Sequence, residues 1–357
     1  MRPAALLVAL ASALVCIADG ADLPSLRIGG VDYVSLEDGA SRLGLRLERL
    51  VPETTVMLKS GAQPVARLSD HSREIDLKGL RVFLGDPVAI HGGAFYVSRT
   101  DFEHRLLPRL RPDLCGPPPR PPHVIAIDPG HGGVDHGAEN KALGSMEKTY
   151  TLDVSLTLKK LLEAAGYHVV LTRDSDYDLP KPLRSEIANR ANADLFISVH
   201  FNSLYPNTKT TGAEVLSFPP ETQRSTDSWS SGRRTDSLDE DAPINRFDTW
   251  NTLLGGMLHR RLVEALRAGD RGEKFEHLAV LHLLKCPGVL VEPAFISSNV
   301  EGAELGTAAF RDRIAQALFA GVQDYAEEIR SLQPPEVKAP VVAVPGRTLP
   351  ERPAGGP

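Results

Sequence analysis

Hydrophobic and polar positions follow two different rhythms along the chain. Over residues 24–111 the apolar runs are short and punctuated by glycine. Residues 26–34 read as strand, Gly29-Gly30 turn, strand, and residues 90–97 repeat the pattern around Gly92-Gly93. Residues 54–58, 75–77 and 82–84 are further strand candidates, and residues 36–43 fit a short helix stopped by Gly44. These elements predict a small β-rich N-terminal unit.

From residue 123 the rhythm lengthens. Residues 124–127 form a continuous apolar run, as a buried strand does. Val154, Leu158, Leu161, Leu162 and Ala165 then share one helical face, and Gly166 stops that helix. A strand over 168–172, a helix over 183–193 and strands over 195–199 and 212–218 follow. Leu254, Leu258, Leu262 and Leu266 mark a helix over 249–268, residues 288–291 a short buried strand, and Phe310, Ile314, Leu318 and Tyr325 a last helix over 310–329. Strands alternating with helices predict an α/β fold, a three-layer domain over 123–330 with a mostly parallel central sheet.

Four segments stand outside these patterns. Residues 1–20 have a positive start, an apolar run and small residues at Ala18 and Gly20, the pattern of a secretory signal peptide. Residues 112–122 carry six prolines and predict a semi-rigid linker. Residues 219–247 are polar and rich in Ser and Asp, and a loop of that length is either functional or disordered. Residues 331–357 are proline-rich and predict a disordered tail.

Composition narrows the class. The 357 residues are 42% hydrophobic and 24% charged, as in an ordinary globular protein. A net charge of −6 with no basic block argues against a nucleic-acid binder. After signal cleavage no segment is long and apolar enough to span a membrane. Cys115 and Cys286 would remain, and two free thiols is the plainer expectation.

Three side chains sit at the ends of predicted elements: His131 after the first strand, Glu147 at a helix start, and His200 after the strand over 195–199. In parallel sheets such ends converge on one edge. Two imidazoles and a carboxylate leave a fourth position open, the usual arrangement for catalytic zinc. A glutamate at a helix start also has a purely structural explanation in the helix dipole, and nearby His136 competes as a ligand. Glu292 leaves another buried strand and fits a general acid/base.

Residues 123–329 resemble the zinc-dependent N-acetylmuramoyl-L-alanine amidases, the cell-wall family that includes the bacterial cell-division amidases. The resemblance is carried by Asp128-Pro129-Gly130-His131-Gly132-Gly133, Met146-Glu147-Lys148, Leu171-Thr172-Arg173-Asp174, Ile187-Ala188-Asn189, Ser198-Val199-His200-Phe201-Asn202 and Leu290-Val291-Glu292. It implies zinc held by His131, Glu147 and His200, with Glu292 as the catalytic acid/base. It also implies cleavage of the amide between N-acetylmuramic acid and L-alanine of peptidoglycan, in the periplasm or cell envelope; peptidoglycan is the expected partner and a protein activator a candidate one. An insertion that covers the zinc site restrains activity in many relatives, and residues 219–247 sit where it occurs. Phe201 and Pro293 depart from the small residues common in relatives. Asp128 and Asn202 are candidates for orienting the ligands, and Arg173 for pairing with Asp174. The N-terminal unit resembles the stalk-like domain named after copper amine oxidases and carries no catalytic cluster, which predicts a placement role. A zinc peptidase acting on stem peptides and a non-catalytic wall-binding protein are the competing readings.

Overall fold

A computed structural model describes residues 23–227 and 242–334. The expected signal peptide over residues 1–20, residues 228–241 of the polar segment and the tail beyond residue 334 lie outside the described residues.

The N-terminal unit contains nine strands: β1 (Ser25–Ile28), β2 (Val31–Ser35), β3 (Arg46–Arg49), β4 (Thr55–Ser60), β5 (Gln63–Ser69), β6 (Glu74–Leu77), β7 (Leu80–Phe83), β8 (Ala89–His91) and β9 (Ala94–Ser98). Both glycines of each Gly-Gly turn have positive φ, which suits the tight hairpins β1–β2 and β8–β9. Those hairpins pair as β1-β2-β9-β8. Helix α1 (Leu36–Arg42) begins at Ser35, whose hydroxyl accepts from the amides of Glu37 and Asp38.

The second half carries β10 (Val124–Pro129), the short hairpin β11 (Glu139–Asn140) and β12 (Ser145–Met146), β13 (His168–Leu171), β14 (Leu195–Val199), β15 (Ala213–Ser217), β16 (Asp270–Phe275) and β17 (Gly288–Glu292). The main helices are α2 (Glu147–Ala164), α3 (Lys181–Arg190), α4 (Asp248–Leu266), α5 (Ala279–His282), α6 (Glu301–Leu305) and α7 (Ala308–Ser331). Strands β13, β10, β14 and β17 are parallel, β15 runs antiparallel to β17, and β16 is parallel to β15. Ile125, Ile127, Ile197 and Val199 face α2, α4 and α7, while Ala126, Phe196 and Leu290 face α3 and α5. The layered α/β architecture read from the sequence is the one observed.

Several features differ from the sequence reading. Strand β16 was hidden by its charges, because Asp-Arg-Gly-Glu-Lys-Phe has no apolar run. Moreover, β16 pairs with β7, so the sheet continues through β7-β6-β5-β4-β3 into the N-terminal unit as one eleven-stranded sheet. The expectation of a spacer between separate units thus meets a continuous sheet.

The start of the polar segment, read from the sequence as either functional or disordered, is packed. Gln223, Ser225 and Thr226 are buried. Gln223 donates to Asp101 at 3.1 Å, and Arg73 donates to the Thr226 carbonyl at 3.1 Å. Cys115 and Cys286 are free thiols, and burial pushes both up to about 12.

Candidate metal centre

His131, Glu147 and His200 converge at the ends of β10 and β14 and the start of α2. One ligand atom from each lies within 4.8 Å of the others, so the group can hold a metal ion. His131 Nε2 is 3.2 Å and His200 Nδ1 3.0 Å from Glu147 Oε1. Glu147 is buried and accepts from the Phe201 amide at 3.0 Å and the Ala138 amide at 2.8 Å. Burial works against its ionisation, but bonds from the two imidazoles outweigh burial and hold the carboxyl well below the usual range. Burial likewise disfavours a charged His131, yet Glu147 and Asp135 outweigh it and raise its pKa above the ordinary value.

The backbone around His131 is unusual. His131 has φ of 62°, in the left-handed region that a non-glycine residue adopts only at a cost. Two buried arginines hold it there. Arg184 donates to the His131 carbonyl, and Arg173 to the carbonyls of Pro129, Gly130 and Lys148, all at 2.8–2.9 Å. A Cβ on Gly130 would collide with the His200 ring, and one on Gly137 would stand 2.6 Å from Glu147 Oε2. These glycines leave the ligand cradle its room.

Glu292 ends β17 at the rim of the same cleft, a cavity of about 200 Å³ whose walls include Leu179, Lys181, Leu278 and Val280. Its Oε2 is buried and has no hydrogen-bond partner among the described residues. Burial raises its pKa well above the usual carboxylate range, Glu147 and Glu214 add to the effect, and Lys274 opposes it.

Residues 125–324 match the family described as N-acetylmuramoyl-L-alanine amidase. The chain belongs to that family. Over 220 residues it is 32% identical to the amidase AmiA of Escherichia coli, covering 57% of this chain and 75% of that protein. Over 212 residues it is 30% identical to an uncharacterized cell wall amidase of Bacillus anthracis, covering 57% of this chain but only 35% of that protein. Among solved structures it is similar to the amidase AmiC2 of Nostoc punctiforme, with 26% identity, a TM-score of 0.47, and coverage of 57% of this chain and 97% of that one.

Within this amidase chain several sequence expectations need correction. Arg173 does not pair with Asp174. Its guanidinium is spent on backbone carbonyls and Thr151, so it shapes the His131 loop. Asp128 has no hydrogen bond to either imidazole among the described residues. It accepts from Thr172, Arg184 and Ser198. Asn202 donates to Glu214 at 2.6 Å and not to a ligand. The carboxylate that does reach one of the candidate ligands is that of Asp135, which lies 2.9 Å from His131 Nδ1. It stands four residues from His131, but in a turn with no periodicity to reveal it. His136 pairs with Glu139 outside the cluster.

Proposed function

We propose that this amidase is an exported, zinc-dependent hydrolase that cleaves the amide between N-acetylmuramic acid and L-alanine of peptidoglycan. The reading rests on one observation above others: a buried carboxylate oxygen of Glu292 without a hydrogen-bond partner among the described residues, beside a His131, Glu147 and His200 cluster able to hold a metal. Family membership supports it, and the pattern of residues 1–20 supports export. Among the described residues no helix is long and apolar enough to cross a membrane.

The donor set suits zinc, two imidazoles and one carboxylate with a side left open. When bound, the ion polarises the scissile carbonyl and lowers the pKa of water from 15.7 towards about 7. The chain's own groups do the rest. Asp135 accepts the Nδ1 proton of His131 and leaves Nε2 as the ligating atom. Glu147 accepts from the Phe201 and Ala138 amides, which hold its carboxylate in place for the ion. Glu292 Oε2 takes the proton of the attacking water and hands it to the leaving alanine nitrogen, a role that typically contributes about 10²–10⁴-fold. Leu278 and Val280 give one wall of the cleft an apolar surface for the small methyl groups near the scissile bond.

Glu292→Gln keeps the shape and cannot shuttle a proton. It should retain bound zinc and lose at least about 100-fold in kcat. Near-wild-type turnover with normal zinc content would remove Glu292 from the chemistry.

A further inference from the structure

One buried charged pair beside the site has no part in this mechanism. Glu214 on β15 stands directly opposite Glu292 on β17 in antiparallel register. Glu214 is buried, and both its oxygens are occupied: Lys274 donates to Oε2 at 2.8 Å and Asn202 to Oε1 at 2.6 Å. Asn202 lies two residues past His200 and is tied to the segment after Glu292. Its amide donates to the Ala294 carbonyl at 3.0 Å, and its carbonyl accepts from Ile296 at 2.8 Å. A single network therefore joins the strand carrying His200, the strand carrying Glu292, and β15 and β16.

The charges decide what this network does. Like charges directly opposed on neighbouring strands repel, and burial strengthens the repulsion. Glu147 already has two imidazoles against it. Arg184 is spent on Asp128 and on carbonyls, and Lys148 on Asp176 and the Gly133 carbonyl. Lys274 is the cation placed against Glu214. Its ammonium is 5.9 Å from the centre of the Phe83 ring, which comes from β7 of the N-terminal unit.

We propose that Lys274 is a positioning residue for hydrolysis: by neutralising Glu214 it lets Glu292 carry and release a proton next to the substrate, and Phe83 of the N-terminal unit covers the pair. The inference rests on the acid/base reading of Glu292. It also gives the N-terminal unit a contact with the catalytic apparatus that a distant stalk would lack.

The test uses the full zinc-loaded chain. Lys274→Met leaves Glu214 bare and should lower kcat about tenfold, with KM and bound zinc unchanged. Lys274→Arg, which keeps the charge, should recover most of the loss. The Lys274→Met/Glu214→Gln double variant removes both charges and should turn over faster than Lys274→Met alone. Wild-type kcat in Lys274→Met overturns the proposal, and so does a double variant slower than the single. Should Lys274→Met not fold, the double variant carries the test: it should keep at least about a tenth of wild-type kcat, and a fall to the Glu292→Gln level overturns the proposal. Glu292→Gln measured in parallel separates the two claims, because an active Glu292→Gln removes the acid/base reading whatever Lys274 does.

Discussion

Arg109 and Glu273 form an ion pair buried on both sides, one from the end of the N-terminal unit and the other from β16. The Arg109 guanidinium lies where a Cβ on Gly256 would stand, so α4 leaves room for it by lacking a side chain there. Nearby, Thr252 of α4 donates to the His104 carbonyl at 2.6 Å, and Arg105 lies over the Phe275 ring at 3.4 Å. The junction between the two halves is built like an interior.

This junction predicts that the N-terminal unit is needed for the stability of the catalytic half. Arg109→Met leaves Glu273 buried without its cation, a change that costs about 3–5 kcal/mol. Urea unfolding of the full chain should show that loss. A chain starting near Pro121 should be less stable still, since it bares the β16 edge. Equal stability of that shortened chain would make the N-terminal unit a dispensable attachment.

Arg173 predicts a defect in metal binding without loss of a ligand. Arg173→Met frees the carbonyls of Pro129, Gly130 and Lys148 and releases the strained loop that presents His131. Zinc affinity should fall about 10–100-fold, as for other groups that orient ligands. Competition with a chelator measures it, and wild-type affinity would contradict this role.

Asp86 predicts a pH dependence of stability. Burial, then the neighbouring Asp101 charge, push its carboxyl up to about 6. In the unfolded chain it titrates near 3.9. The folded state therefore holds the proton longer, and its stability falls as pH rises from about 4 to about 6. Asp86→Asn has no charge to bury, so it should gain stability relative to wild type across that window and keep a constant advantage above it. Urea unfolding of both proteins at several pH values checks this; a difference that does not change with pH would contradict it.

The sequence was legible where burial is one-sided and periodic. Leu254, Leu258 and Leu262 announce α4, and the apolar run before Asp128 announces β10. The four candidate site residues were legible because each ends or begins such an element, and parallel strands deliver their ends to one edge. Strand β16 was not legible, because its charges meet partners that the local pattern does not show: Glu273 pairs with Arg109, Lys274 with Glu214, and Asp270 lies within hydrogen-bond distance of His259. The role of Arg173 was misread for a related reason. Its partners are backbone carbonyls, which leave no mark on the sequence.

The central claim is the bond that is cut. Purified peptidoglycan digested with the zinc-loaded chain, with and without a chelator, should be analysed by mass spectrometry. The account predicts free stem peptides beginning with L-alanine and glycan strands with intact N-acetylmuramic acid, both absent when the chelator is present. Fragments cut within the stem peptide, or the same products with the metal removed, would contradict it.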